Sequence, residues 1–206
     1  WRIIVIGLTL FVFFLLTLFI FGDKFCAENV AWPGLREYQK LRICTLLDPM
    51  RDPLGAGFHT LQSITAVGSG GIFGKGWLQG IQTQLAFIPE RSTDFVFSGY
   101  AEEFGFFGSL LLILLYAGIT LRGLWISIGA PTDFARLLGG TLSMMTFTYA
   151  CVNIGMVTGV LPVVGVPLPW ISYGGTALIT LGIGVGLLMS IGKDRSETTQ
   201  GFSLQK

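Results

Sequence analysis

The chain has 206 residues, of which 51% are hydrophobic and 12% charged, with a mean hydropathy of +0.69. A soluble domain usually carries about a quarter charged residues, so this composition excludes an ordinary water-soluble enzyme and points to an integral membrane protein. A formal net charge of +1 and a single histidine, His59, leave no basic face for nucleic acid, and 29 Gly with only 8 Pro fit neither a disordered tail nor a collagen repeat.

The first predicted element is a membrane span over residues 3–21, 19 residues without a charge. It is longer than a signal-peptide core, and no small-residue cleavage site follows it, so it is read as an anchor. Residues 22–103 form a long loop that holds most of the chain's polar chemistry. Within it, Leu35, Tyr38, Leu41 and Leu46 line a helix that should stop at Asp48-Pro49, and Phe58, Leu61, Ile64 and Val67 mark a second. Either helix could lie on the membrane surface or against the spans. The stretch Gly68-Ser-Gly-Gly-Ile-Phe-Gly-Lys-Gly76 is too glycine-rich for a helix and reads as a turn that lets backbone approach a ligand closely. Three further spans are predicted over residues 104–128, 134–157 and 176–191. The expected fold is therefore an all-α membrane protein, residues 1–206 forming a single membrane domain of four transmembrane helices with a long, partly helical extracytoplasmic loop.

Orientation follows from Lys and Arg in short flanks, which are retained on the cytoplasmic side. Arg2, Arg122, Arg136, Lys193 and Arg195 all fall on one side, whereas residues 158–173 carry no charge. Both termini are expected in the cytoplasm and the loop 22–103 outside. Cys26, Cys44 and Cys151 are too far apart for metal-ligand spacing and are expected to be free thiols; pairing of Cys26 with Cys44 is left open if their loop is extracytoplasmic.

Three constellations carry chemistry. Gly74-Lys75 has the look of a P-loop, but that motif requires Gly at the position of Ser69 and Ser or Thr at that of Gly76, so no nucleotide site is predicted. Lys75 is instead expected to be a cation on an exposed outer loop. In Phe87-Ile-Pro-Glu-Arg-Ser-Thr-Asp-Phe-Val-Phe97, charged and hydroxylated side chains meet an apolar run entering the membrane, with Asp94 at the boundary. Asp94 reads either as a helix cap or as a functional carboxylate. Glu102 and Glu103 lie further in, where a carboxylate faces headgroups or a wet cavity rather than lipid. Finally, residues 153–175 contain three prolines and several glycines, which excludes an unbroken helix and favours a re-entrant or cavity-edge segment. Gly155 and Gly159 read as a weak helix-packing pair. Ser172 has no neighbouring His or acid in sequence and is not read as a nucleophile.

These motifs in this order, namely Asp48-Pro-x-x-Asp-Pro-Leu-Gly-Ala-Gly57, Gln62-Ser63, Gly74-Lys-Gly-Trp77, Pro89-Glu-Arg-Ser-Thr-Asp-Phe-Val-Phe97, Ala101-Glu-Glu103 and Asn153 to Gly175, resemble the SEDS (shape, elongation, division, sporulation) family. The wording Leu161-Pro-Val-Val-Gly-Val-Pro-Leu-Pro169 is closer to the family's cell-elongation branch than to its division branch. The resemblance implies a peptidoglycan glycosyltransferase of the bacterial inner membrane. Such an enzyme polymerises lipid II beside a class B penicillin-binding protein, among membrane lipids and other elongation-complex membrane proteins. It also implies a fold of about ten spans, of which this chain corresponds to the C-terminal part, and it assigns the essential carboxylate to Asp94. Family members often carry His where this chain has Ser92, so a His-assisted proton relay is not expected.

The chemistry of such a donor fits the residues. A diphosphate leaves unprotonated when cations meet its developing charge, so one carboxylate base suffices, unlike the carboxyl pair of an inverting hydrolase. Asp94 is the candidate base, Lys75 and Arg91 are candidate diphosphate clamps, and Glu90, Gln62, Glu102 and Glu103 complete the candidate substrate contacts. No cofactor is indicated, and a divalent cation is left open. Two other readings stay open: a lipid II flippase using Glu102, Glu103 and the broken segment near Pro162, and a non-catalytic scaffold for the penicillin-binding protein.

Overall fold

A computed structural model describes residue 26 and residues 36–51, 57–80 and 93–203. Every element among them is helical: α1 (Glu37–Leu47), a 3₁₀ turn (Pro49–Arg51), α2 (Phe58–Ser69), α3 (Val96–Ile128), α4 (Asp133–Val157) and α5 (Gly175–Ser203). The predicted span over residues 3–21 lies outside the described residues. The chain divides into two compact units, Trp1–Leu61 and Gln62–Lys206.

In the first unit, α1 stops where expected. Asp48 is its C-cap, its N–H donating to the Cys44 carbonyl, and the Asp48 carboxylate accepts from the Met50 N–H at 3.0 Å. Pro49 lacks the N–H needed to continue. Cys44 is buried on α1 and bonded to Cys26. This corrects the expectation of free thiols: a spacing of 18 residues says nothing about pairing, and the fold brings the two Cα atoms to 5.6 Å.

The second unit is built on α3, α4 and α5. Three helices among the described residues are long and apolar enough to cross a membrane: Val96–Ile128, Asp133–Val157 and Gly175–Lys193. Their large side chains are mostly turned outward, Leu115 and Leu121 among them. That arrangement suits a lipid solvent and would be costly in water. Between the helices the contacts are made by small residues. A Cβ on Gly123 of α3 would meet the Ser143 Oγ of α4 at 2.3 Å, and one on Gly139 would lie 3.2 Å from the Ser127 Cβ and 3.5 Å from Leu188 of α5. Such stripes let backbones approach where lipid-like side chains supply no hydrophobic drive. The turn into α4 is closed by Thr132, whose side chain accepts from the Ala135 N–H at 3.2 Å.

The predicted boundaries of the third span hold to within a residue, and the fourth is longer than expected. The second needs correction, because α3 begins at Val96 rather than 104. The extra turns were hidden from a hydropathy reading by Glu102 and Glu103, and by Gly105, whose backbone is not helical (φ 67°, ψ −159°).

Candidate functional site at the head of the second span

The N-terminal end of α3 is a broken helix repaired by a loop. In an unbroken helix the N–H groups of Phe106 and Phe107 would donate to the carbonyls of Glu102 and Glu103. At Gly105 that ladder opens, and residues 71–76 take over all four groups. The Lys75 and Gly76 N–H groups donate to the Glu102 and Glu103 carbonyls, each at 3.0 Å. Phe106 and Phe107 donate to the carbonyls of Gly71 and Ile72, at 2.9 and 3.2 Å. All four of these backbone groups are thereby paired, as a helix break in apolar surroundings requires. The glycines permit this closeness: a Cβ on Gly74 would lie 2.0 Å from the Glu103 oxygen, and one on Gly70 2.1 Å from the Ala101 oxygen. Backbone does approach closely here, but its partner is the helix rather than a ligand.

Side chains reinforce the same junction. Lys75 Nζ lies 2.8 Å from Glu102 Oε1, and Glu102 is fully buried while Lys75 keeps 27% of its side chain exposed. The Ser69 hydroxyl also points to Glu102 Oε1, at 3.5 Å. Lys75 is therefore not the free surface cation expected from the sequence: it neutralises a buried carboxylate 27 residues away. Glu103 is half-buried, and Gln62 is half-buried on α2 beside Ser63, whose hydroxyl donates to the Val157 carbonyl at 2.5 Å. Glu90 and Arg91 lie outside the described residues.

Asp94 stands one position before the N-cap of α3, which is Phe95. Thr93 and Asp94 precede α3, and their carbonyls are reached from elsewhere in the chain. The end of α4 and the proline-rich segment that follows it supply the donors. Asn153 Nδ2 donates to the Asp94 carbonyl at 2.8 Å and to the Val166 carbonyl at 2.6 Å. Ser172 Oγ donates to the Thr93 carbonyl at 2.5 Å and accepts from the Leu168 N–H at 2.7 Å. The segment is anchored further along α3 by Tyr116, whose hydroxyl donates to the Pro169 carbonyl at 2.6 Å and whose ring stacks on Trp170. Trp170 itself has φ 59°, a left-handed backbone that a bulky residue adopts only where its surroundings impose it. Gly165, at φ 79°, lies directly against the Asp94 carboxylate.

Of the sequence-predicted residues, the structure thus joins Lys75 to Glu102 and seats Asp94 in the 153–172 segment. Asn153, Ser172 and Gly165 were missed as functional residues. Their signal was present in the irregular composition of that segment, but which carbonyls they reach is a long-range matter. Gly155 does not serve helix packing as expected: its surface is covered by Leu161, and its carbonyl accepts from the Val160 and Leu161 N–H groups as the chain turns back. A groove of about 440 Å³ lies between α3 and α5 near Arg122, and one of about 270 Å³ is lined by Tyr149, Pro167 and Thr180; Asp94 lines neither. Among the described residues no group of three or more His, Cys, Asp or Glu converges as a metal site requires.

A bundle of long apolar helices agrees with the family comparison. The FtsW, RodA and SpoVE family model, described as cell cycle protein, matches residues 2–197, and the chain belongs to this family. It is 57% identical over 157 residues to the peptidoglycan glycosyltransferase MrdB of Escherichia coli (strain K12), a match covering 76% of this chain and 42% of the relative. It is 44% identical over 158 residues to the peptidoglycan glycosyltransferase RodA of Treponema pallidum (strain Nichols), covering 76% and 36%. With the stage V sporulation protein E of Bacillus subtilis (strain 168) it shares 40% over 156 residues, covering 76% and 42%. Among solved structures, a chain of a peptidoglycan synthase complex that coordinates polymerisation and crosslinking superposes with a TM-score of 0.68 at 34% identity, over 95% of this chain and 50% of that one. The chain spans less than half the length of these curated relatives.

Proposed function

We propose that the protein is a peptidoglycan glycosyltransferase that polymerises lipid II for cell-wall elongation, with Asp94 as its catalytic base. The observation that carries this reading is the seating of Asp94: its own carbonyl and that of Thr93 are bound by two side chains, Asn153 and Ser172, 59 and 79 residues away, and Gly165 leaves room for its carboxylate. So much long-range support for one exposed-edge residue exceeds what a helix start requires.

In the proposed reaction the 4-hydroxyl oxygen of the acceptor sugar attacks C1 of the donor, and the bond from C1 to the diphosphate oxygen breaks. The hydroxyl proton passes to the Asp94 carboxylate, and undecaprenyl diphosphate leaves as an anion without needing an acid. Arg91 and the exposed part of Lys75 are the proposed cations for its developing charge, with Glu90, Gln62, Glu102 and Glu103 around them. The cavity for two lipid-linked sugars is completed by the rest of a longer protein of about ten spans.

The proposed setting is the bacterial inner membrane, with residues 1–206 forming one membrane domain of four spans, cytoplasmic termini and the loop 22–103 outside. The Lys and Arg distribution supports this orientation, and so does the Cys26–Cys44 disulfide, since such bonds persist in oxidising compartments. A class B penicillin-binding protein is the proposed partner, supported by the likeness to a chain of a synthase complex.

Asp94→Asn in the intact protein tests the base. Asn keeps the size and much of the capping ability of Asp but cannot take a proton. The expected outcome is a folded protein that binds lipid II and makes no glycan. Normal polymer from this variant would refute the reading and leave Asp94 as a structural residue.

A further inference from the structure

Thr93 and Asp94 lie just before α3. A single anchor on one carbonyl would leave the backbone free to pivot about it. Here two consecutive carbonyls are held, one by Asn153 near the end of α4 and the other by Ser172 in the proline-rich segment that follows. Asn153 is fully buried, and Ser172 is nearly so. A primary amide has two N–H donors, and Asn153 directs both to carbonyls, one on Asp94 and one on Val166. Turning the amide over would set its oxygen against both carbonyls, so this orientation is the one that bonds. Ser172 likewise uses its hydroxyl twice, as donor to Thr93 and as acceptor from Leu168. Each side chain thus ties the backbone at Asp94 to the stretch 166–168, which follows Gly165 at the Asp94 carboxylate.

We infer that Asn153 and Ser172 are positioning residues for the reaction, a paired clamp that sets the direction in which the Asp94 side chain leaves its backbone. The clamp rests on the reading of Asp94 as the base. Neither residue touches the reacting atoms: they act by fixing two peptide planes, and through them the position of the carboxylate against the acceptor hydroxyl. Ser172 thereby acquires a role that its lack of a neighbouring base denies it as a nucleophile.

The test uses the intact protein in detergent with lipid II as substrate. Asn153→Leu keeps the bulk of the side chain and removes both donors, Ser172→Ala removes the hydroxyl, and Ser172→Thr retains it. Saturation binding of lipid II counts the competent molecules, and kcat is expressed per competent molecule. Asn153→Leu and Ser172→Ala should each lower that kcat by about 10- to 100-fold with KM within about twofold of wild type, the size expected for a displacement on the order of 1 Å. Ser172→Thr should stay within about threefold of wild type. The double variant should lose less than the product of the single losses, because both side chains serve one carboxylate.

A purely structural role would reduce the number of competent molecules and leave kcat per competent molecule unchanged, which would overturn the clamp. Should Asn153→Leu yield no competent protein, the contrast between Ser172→Ala and Ser172→Thr decides alone. Asp94→Asn run in parallel separates the two ideas. Loss of polymer there, with unchanged kcat in both Leu and Ala variants, refutes the clamp only; normal polymer there refutes the base itself.

Discussion

Gly165 and Asp94 touch across 71 positions of sequence: a Cβ built on Gly165 would stand 3.0 Å from Asp94 Oδ2. With φ at 79°, Gly165 also occupies backbone that an L side chain rarely adopts. Gly165→Ala should therefore cost about 1–2 kcal/mol of stability from the backbone and move the carboxylate as well. Glycan assays beside thermal unfolding will show whether polymerisation falls by more than the folded fraction does, which is the expected result.

The Lys75–Glu102 pair yields a prediction that separates structure from substrate binding. Lys75→Met keeps the stem and deletes the charge, leaving the buried Glu102 without this cation. Breaking a buried pair from one side costs about 3–5 kcal/mol, and the partial exposure of Lys75 places the loss near the lower end. Glu102→Gln added to Lys75→Met should recover much of it. Thermal unfolding of the four proteins measures the coupling. If Lys75 acted on diphosphate alone, Lys75→Met would lower polymerisation at unchanged stability.

Gly105 has the backbone of a position that only glycine tolerates, and a Cβ there would meet the Gly74 nitrogen at 2.3 Å. Gly105→Ala is expected to release the loop 71–76 and expose the Phe106 and Phe107 amides, seen as faster hydrogen exchange at both. Gly118→Ala, at a position where a Cβ meets nothing within 4 Å, serves as the control that should change neither.

For the disulfide, thiol labelling of the denatured protein should give one label before reduction, on Cys151, and three after it. Replacing Cys26 and Cys44 with Ser opens a loop of 18 residues, for which the chain-entropy account predicts a loss of about 3 kcal/mol. Leu78→Cys, on the exposed glycine loop, should be labelled from outside intact cells; protection there, with labelling at position 193, would reverse the proposed orientation.

The three long apolar helices among the described residues and the helices α1 and α2 were legible in the sequence because they rest on local periodicity and apolar length. Tertiary geometry was less so. Glu102 and Glu103 made the first turns of α3 look like loop, since burial of a carboxylate becomes intelligible only once Lys75 is placed beside it. The glycines of 68–76 announced a close approach, read as one to a ligand where the structure has the α3 backbone, and a separation of 18 residues left the pairing of Cys26 with Cys44 open. Asp94 was singled out through the boundary it marks and the family motif around it. Its supports, Asn153, Ser172 and Gly165, answer to carbonyls and a carboxylate far away in sequence, which no window of local pattern contains.

The clamp on Asp94 also orders the protein in time. A chain emerges from the ribosome N-terminus first, so residues 71–76 are already present when the head of α3 appears and can close the break at Gly105 at once. The donors for the Asp94 and Thr93 carbonyls arrive only 59 and 79 residues later. Through all of that synthesis the head of α3 is spliced but its carboxylate is not yet aimed. A nascent chain that has reached Glu103 but not Ser172 thus holds every side chain proposed for the chemistry and lacks the geometry to use them, so the site matures only as the stretch leading into α5 arrives.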